Sequence, residues 1–223
     1  SGYNLTAANR FEHPAWTGVT VVGNQLVAAD NRILFWNDPS SITNGKTPDG
    51  YVGASSFTQI PNPGFGQLKS DEDNRVWAEK QNQILVYQAP LTTGEAPIKT
   101  IASPLNLLGG GQITLKSVMG IVPTSHGEYL WISEPDNHRV MRIKDPLTNP
   151  VVDIILGQQT VTGNLCNRGA IPAPNTGTTL SADLSMLCYP GTLSIDKQGN
   201  LYVSDHYLEA EGNWRLLMFG QNT

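Results

Sequence analysis

Several residue types are scarce in this chain, and each scarcity excludes a class of protein. Only 2 of its 223 residues are cysteines. They do not form a Cys-x-x-Cys pair, which argues against a redox dithiol and a structural zinc ribbon. Charged residues make up 15% of the chain. The 14 Lys and Arg are dispersed, and the 19 Asp and Glu give a net charge of -5. Because nucleic-acid phosphates recruit clustered basic residues, we expect no general binding to nucleic acid.

Long apolar runs and catalytic motifs are also missing. The uninterrupted apolar stretches are far shorter than the roughly 18 to 20 residues that span a bilayer, so the sequence predicts no transmembrane helix. It contains no Ser-His-Asp order, nucleophile elbow, P-loop or dinucleotide fingerprint. We therefore expect no membrane span, and the missing catalytic motifs favour a protein that is not an enzyme.

What the chain has in abundance is turn residues, with 22 Gly and 15 Pro, and a repeated pattern. Each copy has an opening glycine, an alternating apolar strand, a polar turn, a second strand that ends in an acid, another turn and a third strand. Self-similarity at a period of roughly 50 residues is typical of propellers and solenoids. The opening glycines are Gly18, Gly66, Gly120 and Gly191, and we expect them to permit close packing of the innermost strands.

The repeats predict an all-β protein of the β-propeller class, in which each copy is one blade. We treat the chain as a single propeller domain or segment over residues 1–223. The predicted blades cover about residues 13–60, 61–104, 115–157 and 188–223, and residues 158–187 form a loop insertion before the last blade.

Two of the copies resemble the NHL repeat. The segment Leu201-Tyr-Val-Ser-Asp205 is followed by Asn213-Trp-Arg215, and Trp131-Ile-Ser-Glu134 is followed by Asn137-His-Arg139. The NHL signature has an acid after an apolar strand and then an asparagine and an arginine. The resemblance implies an NHL-type propeller, and such propellers usually close with six blades, so we expect four blades of a larger ring. The connection from Ile155 also resembles exported bacterial NHL proteins, which implies a secreted protein in an extracellular, periplasmic or cell-surface location.

The two cysteines, Cys166 and Cys188, both lie at the insertion before the last blade. In an exported protein an even pair of this kind indicates a disulfide, which would stabilise the fold by roughly 3 kcal/mol. The alternative is two buried free thiols.

Acids end the second strand of each copy, and arginines begin three of the next strands. An acid that faces an arginine across a hairpin ties the turn together, and we favour this repeat-defining structural role. The alternative is a ring of carboxylates that binds a cation such as calcium. The acids are Asp30, Glu79, Glu134 and Asp205, and the arginines are Arg32, Arg139 and Arg215.

The loop after the last acid is the candidate binding site. Propellers keep recognition residues on such loops, and here carboxylates, a histidine and a tryptophan lie close in sequence. The candidate binding residues are Asp205, His206, Glu209, Glu211 and Trp214. Because the histidines lack metal-ligand spacing, we assign no metal site and no cofactor, although this loop has the donor types for calcium or zinc.

These observations lead to three hypotheses for function. The first is a non-catalytic binding or scaffold module outside the cytoplasm that takes a protein or carbohydrate partner, with self-association or the remainder of a larger propeller as further partners. The second is a metal-dependent propeller lyase or hydrolase with a cation in the central channel. The third, an RNA-binding NHL propeller, requires a basic face that this composition does not offer.

Overall fold

The computed structural model describes residues 18–29, 31–59, 61, 63–169, 185–205 and 213–220. Regular structure in these ranges is almost entirely β-strand. The helical segments are short 3₁₀ turns at Pro39–Ser41, Pro135–Asn137 and Cys166–Gly169. None of the described helices has the length and apolar character required to cross a membrane. The chain divides into two compact units, residues 1–101 and 102–223, and each unit contains two blades.

The first unit contains two antiparallel sheets, and the four strands of each sheet pair in chain order. The central strands are short apolar runs, and all four residues of Ile33–Trp36 are buried, as expected of strands inside a packed core. Blade 1 consists of β1 (Val19–Val22), β2 (Gln25–Ala29), β3 (Ile33–Trp36) and β4 (Gly50–Val52). Blade 2 consists of β5 (Leu68–Ser70), β6 (Arg75–Lys80), β7 (Gln83–Gln88) and β8 (Lys99–Ile101).

The second unit contains a six-stranded sheet and a three-stranded sheet within its described residues. Two short strands, β9 (Leu105–Leu107) and β10 (Gln112–Ile113), precede the third meander. Blade 3 consists of β11 (Ile121–Pro123), β12 (Tyr129–Glu134), β13 (Arg139–Lys144) and β14 (Val151–Leu156). Blade 4 consists of β15 (Pro190–Ile195), β16 (Leu201–Asp205) and β17 (Arg215–Phe219).

Blade 3 is wider than its repeat predicts. Strand β14 pairs in parallel with β9, through Val151 opposite Asn106 and Val152 opposite Leu107. The chain between the second and third repeats therefore extends this sheet rather than forming an irregular connection. The four meanders confirm the predicted all-β class with four blades, since the antiparallel meander is the repeating unit of β-propellers.

Each unit has its own apolar core between its two blades. In the first unit, Val27 and Phe35 of blade 1 share a buried cluster with Val76 and Tyr87 of blade 2. Full burial of one such side chain contributes about 1.5–3 kcal/mol. In the second unit the cluster joins blade 3 and blade 4 and comprises Val122, Trp131, Val140, Leu187, Leu193, Leu201, Val203 and Leu217.

Two of the opening glycines lie where neighbouring blades approach most closely. A Cβ atom on Gly18 would lie 2.2 Å from the backbone nitrogen of Leu68, and one on Gly120 would lie 2.3 Å from the carbonyl oxygen of Gly191. Gly18 and Gly120 also occupy equivalent positions in the ladder, since each carbonyl accepts a 2.9 Å hydrogen bond from the second strand. Gly66 is not equivalent, because its own N–H donates to the carbonyl of Glu79 at 2.9 Å. The predicted role of the opening glycines, close packing of the innermost strands, thus applies to Gly18 and Gly120 and not to Gly66.

Substitution of Gly120 tests the close approach between blades 3 and 4. We expect Gly120→Ala to lower the free energy of unfolding by about 1–3 kcal/mol, because the new methyl group overlaps backbone and the Ser133 hydroxyl. Denaturant unfolding followed by circular dichroism measures the change. Gly220→Ala is the matched control, since no atom lies within 4 Å of the added Cβ, and its effect should stay within about 0.5 kcal/mol. Equal stability of the two variants would contradict the assignment.

Candidate functional site

The acid and the arginine of the repeat face each other across the β-hairpins of blades 3 and 4. Glu134 pairs with Arg139 in the ladder, and Asp205 pairs with Arg215. The Arg139 Nε lies 2.6 Å from Glu134 Oε2, and the Arg215 Nε lies 2.9 Å from Asp205 Oδ2. Both carboxylates are fully buried. Each carboxylate therefore closes the end of its own hairpin with a charge-assisted hydrogen bond.

The asparagine two residues before each arginine binds the same carboxylate. Asn213 Nδ2 donates to Asp205 Oδ2 at 2.8 Å, and Asn137 Nδ2 donates to Glu134 Oε2 at 3.1 Å. The spacing Asn-x-Arg thus has a structural meaning, since both side chains converge on one acid. The sequence contained this signal as part of the resemblance to the NHL repeat.

Backbone donors complete the hydrogen bonding of both acids. The N–H of Cys188 donates to Asp205 Oδ1 at 2.7 Å, and the N–H of Lys116 donates to Glu134 Oε1 at 2.5 Å. Every carboxylate oxygen of the two acids thus accepts a hydrogen bond. This arrangement favours the structural role of Glu134 and Asp205 over the alternative in which they bind a cation.

The equivalent position in blade 2 holds a lysine. In the hairpin of β6 and β7, Lys80 faces Gln83 and Glu79 faces Ile84, so Lys80 occupies the position of Glu134 and Asp205. Comparison of the four repeats had predicted Glu79 for this position, which is one residue too early in the chain. The reason is the tight turn of Gln81 and Asn82, whose φ angles of 54° and 61° make a two-residue connection.

Glu79 instead lies against Gly66 in a largely buried environment. A Cβ atom on Gly66 would lie 2.3 Å from Glu79 Oε2. Burial raises the pKa of Glu79 to about 7, and a 3.1 Å hydrogen bond from the N–H of Asn82 offsets part of this rise. The adjacent Lys80 has a lowered pKa because of its burial, and its Nζ lies 4.5 Å from the centroid of the Phe65 ring.

In the hairpin of blade 1, the structure describes the arginine of the repeat but not the acid. Asp30 lies outside the described residues, and Arg32 is buried at 1% exposure. Three of the five candidate binding residues, His206, Glu209 and Glu211, also lie outside the described residues. Of the other two, Asp205 is buried and hydrogen bonded, whereas the side chain of Trp214 is 70% exposed.

A disulfide and two asparagines attach the insertion to blade 4. Cys166 and Cys188 form the predicted disulfide, with a sulfur–sulfur distance of 2.02 Å. Asn167 and Asn213 donate to each other through their side-chain amides at 3.1 and 2.7 Å. Because Asn213 also donates to Asp205, the insertion and the hairpin of blade 4 share one hydrogen-bond network.

A second set of contacts attaches the insertion to blade 3. Arg139 Nη1 donates to the carbonyl of Val161 at 2.6 Å. Gln158 Nε2 donates to the carbonyls of His138 and Leu165, each at 2.9 Å. Sequence reasoning missed Gln158 and Asn167, because they bind His138 and Asn213, which are 20 and 46 residues away in the chain.

His138 connects the same region to the start of blade 4. Its backbone is left-handed, with a φ of 48°, and its Nδ1 accepts a 3.1 Å hydrogen bond from the N–H of Tyr189. Burial lowers the pKa of His138, and the negative charges of Asp136 and Asp205 oppose this effect. The neutral imidazole is therefore the form that this contact requires.

Three apolar side chains of this region are exposed. Val161, Leu165 and Trp214 are 36%, 58% and 70% exposed, and we call them the insertion face. Leu165 precedes Asn167 by two residues and Trp214 follows Asn213 directly, so both side chains flank the anchoring amide pair. Among the described residues no group of three or more His, Cys, Asp or Glu is arranged to hold a metal ion.

Comparison with solved structures finds β-propellers. The β-propeller domain of Cps50 (Swd1) from Myceliophteria thermophila has a TM-score of 0.52 at 11% identity, over 92% of this chain and 53% of that one. A protein of unknown function from Bacteroides caccae has a TM-score of 0.50 at 10% identity, over 94% and 65%. The virginiamycin B lyase from Staphylococcus aureus has a TM-score of 0.46 at 14% identity, over 94% and 57%.

These similarities extend to the fold and no further. The chain spans between 53% and 65% of the length of these three structures. No protein-family model matches the sequence, and no curated protein matches it. Four antiparallel blades and the likeness to the Cps50 domain establish a fold of the β-propeller class.

The raised pKa of Glu79 predicts a pH dependence of stability. Because this pKa is about 7 in the folded chain and 4.5 in the reference state, the folded state binds the proton more tightly. The resulting stabilisation is complete below pH 4.5 and is lost as the pH rises through 7. We expect the unfolding free energy of the unsubstituted chain to fall more steeply than that of Glu79→Gln between about pH 5 and 8.

Two comparisons make this measurement specific. The control is Glu72→Gln, which replaces an exposed glutamate three residues before β6 begins and should leave the slope unchanged. His138 contributes a slope of opposite sign, because its lowered pKa removes stability as the pH falls below 6.5. This contribution is common to both chains and cancels in the difference. Parallel curves for Glu79→Gln and the unsubstituted chain would refute the prediction.

The disulfide predicts a second effect on stability. Its loop spans a sequence separation of 22 residues, so we expect Cys166→Ser with Cys188→Ser to lower the free energy of unfolding by roughly 3 kcal/mol. Denaturant unfolding of the double variant, compared with the oxidised chain, measures the loss. Addition of reductant should destabilise the unsubstituted chain and leave the double variant unchanged. Sensitivity of the double variant to reductant would indicate another origin.

Proposed function

We propose that this chain is a binding module outside the cytoplasm that recognises a protein partner through the insertion face, Val161, Leu165 and Trp214. The observation that carries the proposal is the combination of exposure and anchoring at Trp214. Its side chain is 70% exposed, while the adjacent Asn213 is buried and bound to Asp205 and Asn167. A rigidly attached, exposed tryptophan is the type of residue that dominates protein interfaces.

The anchoring supports the proposal through entropy. Association costs about 0.5–1.5 kcal/mol for each flexible side chain that becomes fixed. Here the disulfide, the Asn167–Asn213 pair and the 2.6 Å bond from Arg139 to Val161 hold residues 158–169 of the insertion before any partner binds. A preformed loop loses less entropy on binding than a mobile one.

The disulfide supports a location outside the cytoplasm. Disulfides persist in oxidising compartments, and they are rare where glutathione and thioredoxin keep thiols reduced. The Cys166–Cys188 bond is compatible with secretion, with the periplasm and with the cell surface. The chain spans 65% or less of the length of the solved propellers it resembles. Any activity of the whole protein is therefore a proposal.

The metal-dependent alternative lacks a supporting contact. The described acids of its carboxylate ring, Glu134 and Asp205, each accept hydrogen bonds from an arginine, an asparagine and a backbone N–H. Elemental mass spectrometry of protein purified without chelator distinguishes the two proposals. About one tightly held zinc or calcium per chain would favour the metal-dependent enzyme over the binding module.

Site-specific crosslinking tests the protein partner. A photoreactive residue in place of Leu165 or Trp214 should crosslink one protein from the extracellular or envelope fraction, and mass spectrometry identifies it. We then expect Leu165→Ser and Trp214→Ala to raise the Kd for the purified partner at least about tenfold, as for a central interface residue.

The control for this experiment is Leu108→Ser. Leu108 is also exposed, at 71%, and it follows β9 outside the insertion face. This variant should bind the partner as tightly as the unsubstituted chain. Equal loss of binding in all three variants would refute recognition by the insertion face, and so would unchanged binding in all three.

A further inference from the structure

A pocket lies between blade 1 and blade 2, at the strand ends away from the acid-bearing hairpins, and its wall combines apolar surface with carboxamide side chains. Its volume is about 410 Å³, which is within the range of small-molecule sites. The turn of β1 and β2, the turn of β5 and β6, and the chain after β3 and β7 form its wall. The lining residues are Val22, Gly23, Asn24, Gln25, Asn37, Asn74, Ala89 and Pro90.

We propose that this pocket, which we call the amide pocket, binds a neutral saccharide. The site is separate from the insertion face and does not depend on the function proposed above. Four carboxamide side chains and no charged side chain line it. An anionic ligand would require a cation or a cluster of backbone donors, and a cationic ligand would require a carboxylate. The lining therefore selects an uncharged ligand that combines an apolar face with hydrogen-bonding groups.

Gln25 fixes the geometry of the amide pocket. It is 3% exposed, and its carboxamide pairs with the backbone of Leu91 from blade 2 in both directions. Gln25 Nε2 donates to the carbonyl of Leu91 at 3.1 Å, and the N–H of Leu91 donates to Gln25 Oε1 at 2.6 Å. One side chain thus joins the two blades in the way that two backbone strands pair.

The same residue determines how Asn37 is oriented. Gln25 Nε2 also donates to Asn37 Oδ1 at 2.8 Å. Because the Oδ1 atom is an acceptor in this bond, the Nδ2 group of Asn37 is assigned to the other side as a donor. Within the described part of the chain no acceptor takes a hydrogen bond from this Nδ2 group, so it can donate to a ligand.

Asn24 is oriented in the opposite sense. Its Nδ2 group donates to the carbonyl of Asn37 at 2.9 Å, which leaves Oδ1 as an acceptor. Asn74 is held by its backbone, because its φ of 59° forms the turn and its carbonyl accepts a 2.9 Å bond from the N–H of Ala89. All three asparagine side chains are exposed to the pocket.

A sugar matches this combination of donor and acceptor. A hydroxyl group donates and accepts at once, so it suits a site that offers both an amide nitrogen, on Asn37, and an amide oxygen, on Asn24. The apolar remainder of the wall, Val22, Ala89 and Pro90, suits the C–H face of a sugar ring. A peptide N–H or carbonyl group supplies only one of the two functions.

The test begins with the unsubstituted 223-residue chain on an array of neutral and acidic glycans. We expect binding to neutral glycans, and isothermal titration of a bound glycan then gives its Kd. Asn24→Ala and Asn37→Ala should each raise this Kd at least about fivefold, because each removes a hydrogen bond. Asn106→Ala, at an exposed asparagine of β9 in the second unit, is the control and should leave the Kd unchanged.

A second measurement keeps the proposal testable if a variant fails to fold. In nitrogen-15 spectra of the unsubstituted chain, the glycan should shift the side-chain amide resonances of Asn24, Asn37 and Asn74 and leave that of Asn106 in place. Absence of neutral-glycan binding at millimolar concentration overturns the proposal. Selective binding of acidic glycans or of peptides, or unchanged affinity in both pocket variants, also overturns it. Trp214→Ala should bind the glycan normally, so failure of the two proposals can be told apart.

Discussion

The buried carboxylate of Asp205 is the interaction on which the second unit depends. It joins β16 to β17 through Arg215, joins the insertion through Asn213 and Asn167, and accepts the N–H of Cys188. Removal of one partner from a buried charge pair typically costs about 3–5 kcal/mol, because the remaining charge is left without compensation. The repeat motif of an acid followed by Asn-x-Arg therefore defines a folding element, and the insertion uses the same element as its point of attachment.

The blades offer two kinds of surface because the two ends of a β-meander carry different connections. In the second unit the acid-bearing end is closed by ion pairs and is bonded to the described part of the insertion, and the exposed side chains there are Leu165 of the insertion and Trp214 of blade 4. In the first unit the opposite strand end leaves a pocket of about 410 Å³ between two blades. Rigid sheets hold both sets of connections, and loops on such a scaffold are where binding residues concentrate. Function in this fold depends on these connections, since the strands themselves form the core.

Much of the fold could be predicted from the sequence, and the candidate sites could be predicted only in part. Alternating strands and four repeats indicated four blades because the two-residue period of a strand is local. The Cys166–Cys188 pair was predicted, and the Asn-x-Arg spacing was visible although its common acceptor was not. Gln25, Asn37 and Asn74 could not be grouped, because they lie at three separate strand ends and meet only when blades 1 and 2 pack.

The sequence by itself determined the class of the fold, the number of repeats and the pairing of acid and arginine in the hairpins of blades 3 and 4, since all three depend on local patterns in the chain. Tertiary structure decided the pairing register of β6 with β7 and the surroundings of Glu79. The two-residue turn at Gln81 and Asn82 places Lys80 opposite Gln83 and directs Glu79 toward Gly66, where burial raises its pKa to about 7. A shift of one residue moves every side chain of a strand to the other face. The geometry of the turn and the burial of one face of the sheet fix that choice together, and the position of the turn is visible only in the folded hairpin.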